Sequence, residues 1–126
     1  MKIWRISLAV LAGIMILSGY SQASDVDSAL AQAKKDGKVI MLELGSVGCI
    51  PCEQMQPVMQ KLRVSYKGKL EVMFVDVRED NKTGRQFGVR LIPTQVFLDK
   101  NGKEFHRHVG FYAYDEITPV LKKAGL

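Results

Sequence analysis

The sequence VIMLELGSVGCIPC, residues 39–52, predicts the fold and contains both cysteines of the 126-residue chain. Its beginning, residues 39–44, is a nearly continuous apolar run, which is typical of a β-strand covered on both faces. Residues 45–48 predict a flexible loop, and a helix is predicted to begin at Cys49. Cysteines at positions i and i+3 of a first helical turn lie on the same side, so the sulfurs of Cys49 and Cys52 can reach disulfide distance.

The two cysteines are predicted to be chemically unequal. A helix N-terminus carries partial positive charge and free backbone N–H groups, and both favour a thiolate over a thiol. The thiolate is the nucleophilic form of cysteine. Cys49 lies nearer the helix end and is expected to be the attacking sulfur. Cys52 lies one turn further in and is expected to be the more buried, resolving sulfur.

A Cys-x-x-Cys pair has other uses in proteins. Half of a structural zinc site would need two more ligands, and His106 and His108 are the only candidates, at a spacing unusual for zinc. A purely structural disulfide is a second alternative, although so short a loop stabilises little. Met55 and Met59 follow the cysteines and offer soft ligands for copper(I), but methionines at helical spacing are more often core residues.

The N-terminal segment has the pattern of a secretory signal peptide. Lys2 and Arg5 make its start positive, residues 6–17 form an apolar run, and residues 21–23 place small side chains where a signal peptidase cleaves. We predict a cleaved signal peptide at 1–23 and export to the periplasm. The alternative is an uncleaved N-terminal anchor that holds the protein at the membrane, facing the periplasm, although a membrane span needs about 20 apolar residues.

The remaining residues, 24–126, are enough for one domain with a single core. The formal net charge of the whole chain is +5, and part of that charge belongs to the leader. So mild a charge favours solubility, and no basic run with interleaved aromatic residues occurs. Nucleic-acid binding is therefore not expected.

Periodicity and turn residues predict the order helix, strand, helix, strand, helix, strand, strand, helix. The first strands are joined through helices and should run parallel, whereas Asn101-Gly102 predicts a hairpin between the last two strands. His106 and His108 share one face of the final strand and are expected to form an exposed pair at the sheet edge. The predicted strands are 38–44, 70–77, 94–98 and 103–109.

Capping residues and prolines predict where the helices begin, bend and end. Pro57 should kink the helix that follows the cysteines. Asn81 or Thr83 is expected to cap the short helix between the second and third strands. Pro119 implies either a kink in the last helix or a short final turn capped by Thr118.

The chain resembles the thioredoxin-fold family over residues 25–126. The resemblance rests on a Cys-x-Pro-Cys motif, a helix proline, a segment like the family's cis-proline segment, a Val-Gly pair after the last strand, and an acidic residue before the first cysteine. In this sequence these are Cys49–Cys52, Pro57, Ile92–Thr94, Val109-Gly110 and Glu43. The resemblance implies an α/β thioredoxin-like fold over the domain 24–126, with a central mixed sheet of about four to five strands and helices on both faces.

The resemblance also implies a mechanism for the residues near the cysteines. The Cys49 thiolate attacks a substrate disulfide, and Cys52 then attacks Cys49 and releases the reduced substrate. Glu43 is expected to be buried with a raised pKa, and to take the proton of Cys52 directly or through a water molecule.

Four apolar residues are expected to contact the substrate. Pro93, if its peptide bond is cis, lies near the sulfurs and leaves the backbone of Ile92 free to pair with an extended substrate segment. Ile50 and Pro51, between the cysteines, are the other two expected substrate-binding residues.

The sequence departs from the family pattern in two ways. Gly45 and Gly48 stand where the family carries tryptophans, so the substrate groove is expected to be barer. The Cys-Ile-Pro-Cys motif lacks the histidine of strongly oxidising relatives, so a relatively reducing site is expected.

The combined prediction is an enzyme, a periplasmic thiol:disulfide oxidoreductase that reduces protein disulfides. In an oxidising compartment it must receive electrons, and a membrane-embedded thiol protein is the expected donor. We expect a monomer that uses the Cys49–Cys52 disulfide without a further cofactor or metal ion. The alternatives are a dithiol oxidase and a copper(I) carrier that uses the same cysteines.

Overall fold

The computed structural model describes residues 25–126. The predicted signal peptide and its cleavage after Ala23 lie outside the described residues. None of the helices within 25–126 is long and apolar enough to cross a membrane. In chain order the elements are α1 (Asp25–Lys35), β1 (Val39–Gly45), α2 (Ile50–Ser65), β2 (Leu70–Asp76), α3 (Asn81–Gln86), β3 (Thr94–Leu98), β4 (Glu104–Val109) and α4 (Tyr114–Lys123).

The strands form one mixed sheet in the order β2-β1-β3-β4. Strand β1 pairs in parallel with β2 and antiparallel with β3, and β3 and β4 form an antiparallel hairpin. The predicted mixed α/β sheet, with a parallel pair first and a hairpin last, is confirmed. Strand β1 is an inner strand, and it leads directly into the loop that carries the cysteines.

The apolar residues of β1 pack on both faces of the sheet. Met41 contacts a cluster that includes Met55 and Met59 of α2 and residues of α4. Ile40 and Leu42 belong to a second cluster, which includes residues of α1. Neighbouring residues of a strand point to opposite faces, so helices on both sides explain why the apolar run is continuous. Each buried side chain of this size contributes about 1.5–3 kcal/mol.

Two helix starts differ from the prediction. Helix α2 begins at Ile50, which makes Cys49 its N-cap residue instead of its first residue. Helix α3 is capped by Asp80, whose Oδ1 accepts the backbone N–H of Thr83 at 2.9 Å. The prediction that Asn81 or Thr83 caps this helix is therefore wrong, because the carboxylate one residue earlier reaches the free N–H group.

Helix α4 continues through Pro119. Proline has no N–H for the carbonyl four residues earlier, which here belongs to Asp115. The Thr118 hydroxyl donates to that carbonyl at 3.3 Å and supplies a substitute hydrogen bond. The alternative of a separate final turn capped by Thr118 is therefore wrong.

Candidate active site

Cys49 and Cys52 form a disulfide at the start of α2, with their Cα atoms 5.2 Å apart. Cys49 occupies the N-cap position, at the helix end where the dipole favours a thiolate. Cys49 is half-buried, whereas Cys52 is only 1% exposed. The predicted difference in burial between the two sulfurs is confirmed.

The last residue of β1 packs against Cys52. A Cβ atom on Gly45 would lie 2.9 Å from Cys52 Sγ and 3.3 Å from the ring of Phe74. The first contact is too short for any side chain, so only glycine fits here without a shift of the sulfur. Gly45 therefore makes room for the disulfide and does not line an exposed groove, which corrects our expectation. Gly48 is exposed, as a barer groove requires.

Glu43 lies on the same face of β1 as Cys52. Side chains two residues apart along a strand point to the same face, and the Cβ direction of Gly45 leads to the Cys52 sulfur. The residues opposite Glu43 on the neighbouring strands are Phe74 and Gln95. The carboxyl group is therefore enclosed by β2, β3 and α2, with no cation opposite it on either strand.

Burial raises the pKa of the Glu43 carboxyl from 4.5 to about 7, and the nearby Gln95 amide partly offsets this effect. The side chain is 0% exposed. Neither carboxyl oxygen has a hydrogen bond of normal geometry within the described part of the chain. Gln95 Nε2 donates to the Gly110 carbonyl at 3.0 Å and forms no hydrogen bond of normal geometry with the Glu43 carboxyl group. The predicted burial and raised pKa of Glu43 are confirmed.

Gln95 is a buried polar residue that the sequence analysis missed. Its Nε2 donates to Gly110, which leaves its Oε1 facing His108 Nδ1 at 2.9 Å. An amide oxygen can only accept, so His108 carries a proton on Nδ1 in this contact. The signal in the sequence was a lone glutamine within an otherwise apolar predicted strand.

His106 and His108 are half-buried, so the prediction of an exposed pair is wrong. Tyr112, in the loop after β4, folds back over the strand. Its ring stacks on His108 with centroids 3.8 Å apart and an angle of 9° between the planes. Its hydroxyl lies 3.0 Å from His106 Nε2. Burial, and then the charges of His108 and Lys123, lower the pKa of His106.

The segment that precedes β3 is anchored by two hydrogen bonds. The Ile92–Pro93 peptide is cis. Thr94 Oγ1 donates to the Leu91 carbonyl at 2.6 Å, and the Gly110 N–H donates to the Pro93 carbonyl at 2.8 Å. Thr94 also lies opposite the penultimate residue of β1 in the sheet register. The segment therefore enters the sheet next to the strand end on which the disulfide packs.

Exposed apolar side chains occur in the loops at the disulfide and on either side of the β3–β4 hairpin. Ile50 is 71% exposed, and Pro51 is half-buried. Val47, Leu91 and Phe111 are exposed as well. Apolar side chains that are exposed on a protein surface are candidates for contact with a binding partner. The structure thus leaves Ile50 and Pro51 accessible to a partner.

The two methionines of α2, which were considered as copper(I) ligands, lie in the hydrophobic core. Met55 and Met59 are fully buried, and the Met55 sulfur accepts the backbone N–H of Tyr112 at 3.2 Å. Within residues 25–126, no group of three or more His, Cys, Asp or Glu side chains could hold a metal ion. The methionines therefore act as core residues.

Comparisons with known proteins agree with this architecture. A family model described as a thioredoxin-like domain matches residues 26–125. A thioredoxin of Staphylococcus aureus is 30% identical over 91 residues, which are 72% of this chain and 86% of that protein. The crystal structure of a thioredoxin from Nicotiana alata has a TM-score of 0.69 at 28% identity and covers 79% of this chain and 84% of its own. A thioredoxin-2, described as a component of the malaria parasite protein secretion machinery, has a TM-score of 0.65 at 26% identity and covers 68% and 82%.

The family model covers almost all of the residues that the structure describes, and the solved thioredoxins share the fold. The disulfide at the start of α2 joins a half-buried cysteine to a fully buried one, so the two sulfurs are unequal, as an attacking and a resolving sulfur are in thiol–disulfide exchange. This chain therefore belongs to the thioredoxin-like domain family, and it is a thiol:disulfide oxidoreductase.

Proposed function

We propose that this protein reduces disulfides of exported proteins in the periplasm through the Cys49–Cys52 dithiol. Thioredoxin-like proteins act on protein thiols and disulfides, and we take this substrate class for the present chain. The observation that carries the proposal is the asymmetry of the pair. Cys49 is half-buried at the helix N-cap, and Cys52 is fully buried on the face of β1 that holds Glu43.

The reaction begins with the reduced protein. The Cys49 thiolate attacks one sulfur of a client disulfide, the other client sulfur leaves as a thiolate, and a mixed disulfide forms. Cys52 then gives its proton to the Glu43 carboxylate and attacks the Cys49 sulfur. The remaining client sulfur leaves as a thiolate and the Cys49–Cys52 disulfide forms. Two electrons pass to the client, and solvent protonates its thiolates.

Glu43 suits the role of base for the second step. Glu43 and Gly45 are about 7 Å apart along one face of β1, and the Cys52 sulfur lies over Gly45. We therefore infer that one water molecule bridges the carboxylate and the sulfur. Both carboxyl oxygens lack a hydrogen-bond partner among residues 25–126. A pKa of about 7 lets the group accept and release a proton at ordinary pH.

The reducing direction and the location rest on the sequence. The Cys-Ile-Pro-Cys motif has no histidine to stabilise a thiolate, which favours a reducing site. The pattern of residues 1–23 favours export. A reductant in an oxidising compartment needs a continuous supply of electrons, so we propose a membrane-embedded thiol donor and a monomeric protein that moves between donor and clients.

The reduction potential of the Cys49–Cys52 pair tests the direction. The only tryptophan, Trp4, lies in the predicted leader, so the fraction of reduced protein is measured by mass-tagging free thiols across a dithiothreitol or glutathione series. Reducing members of this fold have reduction potentials of about −270 mV, and oxidising members have potentials of about −120 mV. We expect a value at the reducing end, and a value at the oxidising end would make the protein a disulfide donor.

A trapping experiment tests the roles of the two cysteines. Cys52→Ser should accumulate the mixed disulfide between Cys49 and a disulfide-bonded test protein, because the resolving thiol is absent. Cys49→Ser should form no adduct and reduce nothing. Adducts on Cys52 of the second variant, detected by mass spectrometry after digestion, would reverse the assignment.

A further inference from the structure

A groove opens beside the cis-proline segment, between α3 and the chain that leads into β3. It encloses about 460 Å³ and its apolar walls include Val77, Val89 and Ile92. Ile92 is also the residue whose backbone is proposed to pair with an extended client. A client segment that pairs with Ile92 therefore lies beside this groove.

Three arginines line the groove, and they come from three different segments. Arg78 follows β2, Arg85 lies in α3, and Arg90 lies in the loop before β3. All three side chains are exposed. No carboxylate is among the lining residues.

The nearest acidic residues in the sequence form no ion pair with these arginines. Asp76 accepts backbone N–H groups of Val47 and Arg78 at 3.0 and 2.9 Å. Asp80 caps α3. Glu79 is exposed and is not part of the groove lining. In the part of the chain that the structure describes, the guanidinium groups of the groove are in no ion pair, so they are available to an external anion.

We propose that this groove binds an acidic segment of the client protein next to its disulfide, so that the enzyme prefers clients with aspartate or glutamate there. A guanidinium group matches a carboxylate with two parallel hydrogen bonds, and the apolar walls accept the methylene groups of the same side chain. The proposal rests on the proposed function and adds a substrate preference to it.

The test uses three synthetic peptides with the same disulfide and either acidic, neutral or basic residues on the side that faces the groove. We expect the purified reduced protein to reduce the acidic peptide with a kcat/KM about fivefold above that of the neutral one, the size expected for one or two accessible ion pairs. The preference should disappear in about 0.5 M salt, where charges are screened over a few ångströms. Equal rates for all three peptides would overturn the proposal.

The variant that removes the groove charges is Arg78→Gln/Arg85→Gln/Arg90→Gln. It should lose the preference and reduce the acidic and the neutral peptide at equal rates. Far-UV circular dichroism and the urea midpoint establish whether the triple variant is folded. If it is not folded, the single variant Arg90→Gln replaces it, and we expect that variant to lose part of the preference.

A matched control removes the same net charge elsewhere. Lys67→Gln/Lys100→Gln/Lys122→Gln changes exposed lysines outside the groove lining. This control should retain the preference for the acidic peptide. An equal loss in both triple variants would attribute the effect to net charge and overturn the groove assignment.

A binding measurement separates the groove from the reductase activity. The same peptides with serine in place of cysteine carry a fluorescein label, and their anisotropy reports binding without any turnover. Tighter binding of the acidic peptide to the wild-type protein than to the arginine variant supports the groove even if no peptide is reduced. Equal binding to both proteins overturns the groove proposal even if every peptide is reduced.

Discussion

Glu43 is a carboxyl group whose ionisation affects both catalysis and stability. It is fully buried, it has no hydrogen bond of normal geometry in the described residues, and burial raises its pKa to about 7. A neutral carboxyl suits such a site, whereas a carboxylate can accept a proton from Cys52. Protonation of Glu43 therefore favours stability, whereas ionisation of Glu43 favours catalysis.

Replacement of Glu43 by glutamine should slow the release of reduced client by at least about tenfold, because general base catalysis commonly contributes more than that. In the wild-type protein this rate should fall as the pH drops through about 7, since the carboxylate becomes protonated. Stopped-flow mixing followed by acid quench and mass spectrometry measures the mixed disulfide. Glu79→Gln, a substitution of an exposed glutamate, serves as the control. If Glu43→Gln kept the pH profile of the wild type, Glu43 would not be the base.

The stability of the protein should fall as the pH rises from about 4.5 to about 7. Below this window both the folded and the unfolded chain hold the Glu43 proton. Within it the unfolded chain loses the proton first, and this favours unfolding by about 3 kcal/mol in total. Above about pH 7 the carboxyl group is ionised in both states, so its contribution to the free energy of unfolding no longer changes with pH. Urea unfolding of the oxidised form at pH 5 and pH 8 should show Glu43→Gln gaining stability over the wild type only at the higher pH.

The contact between strand β1 and helix α2 depends on a glycine. A methyl group at Gly45 would meet the Cys52 sulfur at 2.9 Å, so either the strand end or the helix start must shift. We expect Gly45→Ala to destabilise the oxidised protein by about 1–3 kcal/mol, the usual effect of overpacking. The urea midpoint measures this, and Val47→Ala, at an exposed position two residues after the strand end, should leave it unchanged. A wild-type midpoint for Gly45→Ala would mean that the contact relaxes freely.

The β3–β4 hairpin holds a polar contact behind Glu43. Gln95→Leu would leave the Gly110 carbonyl and His108 Nδ1 without their partners, which should destabilise the protein by about 2 kcal/mol. It should also raise the pKa of Glu43 further, because the Gln95 amide lowers that pKa. The midpoint of the pH–rate profile should therefore move upward. His108→Phe, which keeps a ring stacked on Tyr112, should cost less stability because the Gln95–Gly110 bond remains.

At the scale of the whole molecule, the described residues 25–126 contain a hydrophobic cluster on each face of the sheet and all the candidate site residues. We therefore expect export to leave a functional domain. When the full sequence is expressed in a bacterium, the periplasmic fraction should contain a protein whose intact mass corresponds to a chain that begins at Ser24. A full-length mass found only in the membrane fraction would instead support an uncleaved anchor.

Local sequence was sufficient to predict the elements and the reactive pair. The spacing of Cys49 and Cys52 places their sulfurs together within a single helical turn. The continuous apolar run predicts a strand buried on both faces, and burial of Glu43 follows from its place in that run. Helices connect the first three strands, whereas a short turn connects the third strand to the fourth. This order predicts a mixed sheet that ends in a hairpin.

Contacts between segments distant in the sequence were decided by the tertiary structure alone. The fit of Gly45 under Cys52, the Gln95–His108 hydrogen bond and the stacking of Tyr112 on His108 each join residues from separate elements. No local pattern encodes such a contact, which is why His108 was wrongly expected at an exposed edge. The arginine groove arises in the same way, because the fold brings three separate segments to one surface. Periodicity therefore predicts which residues of the apolar strands are buried, whereas chain packing decides which groups meet and which residues of the edge strand are covered.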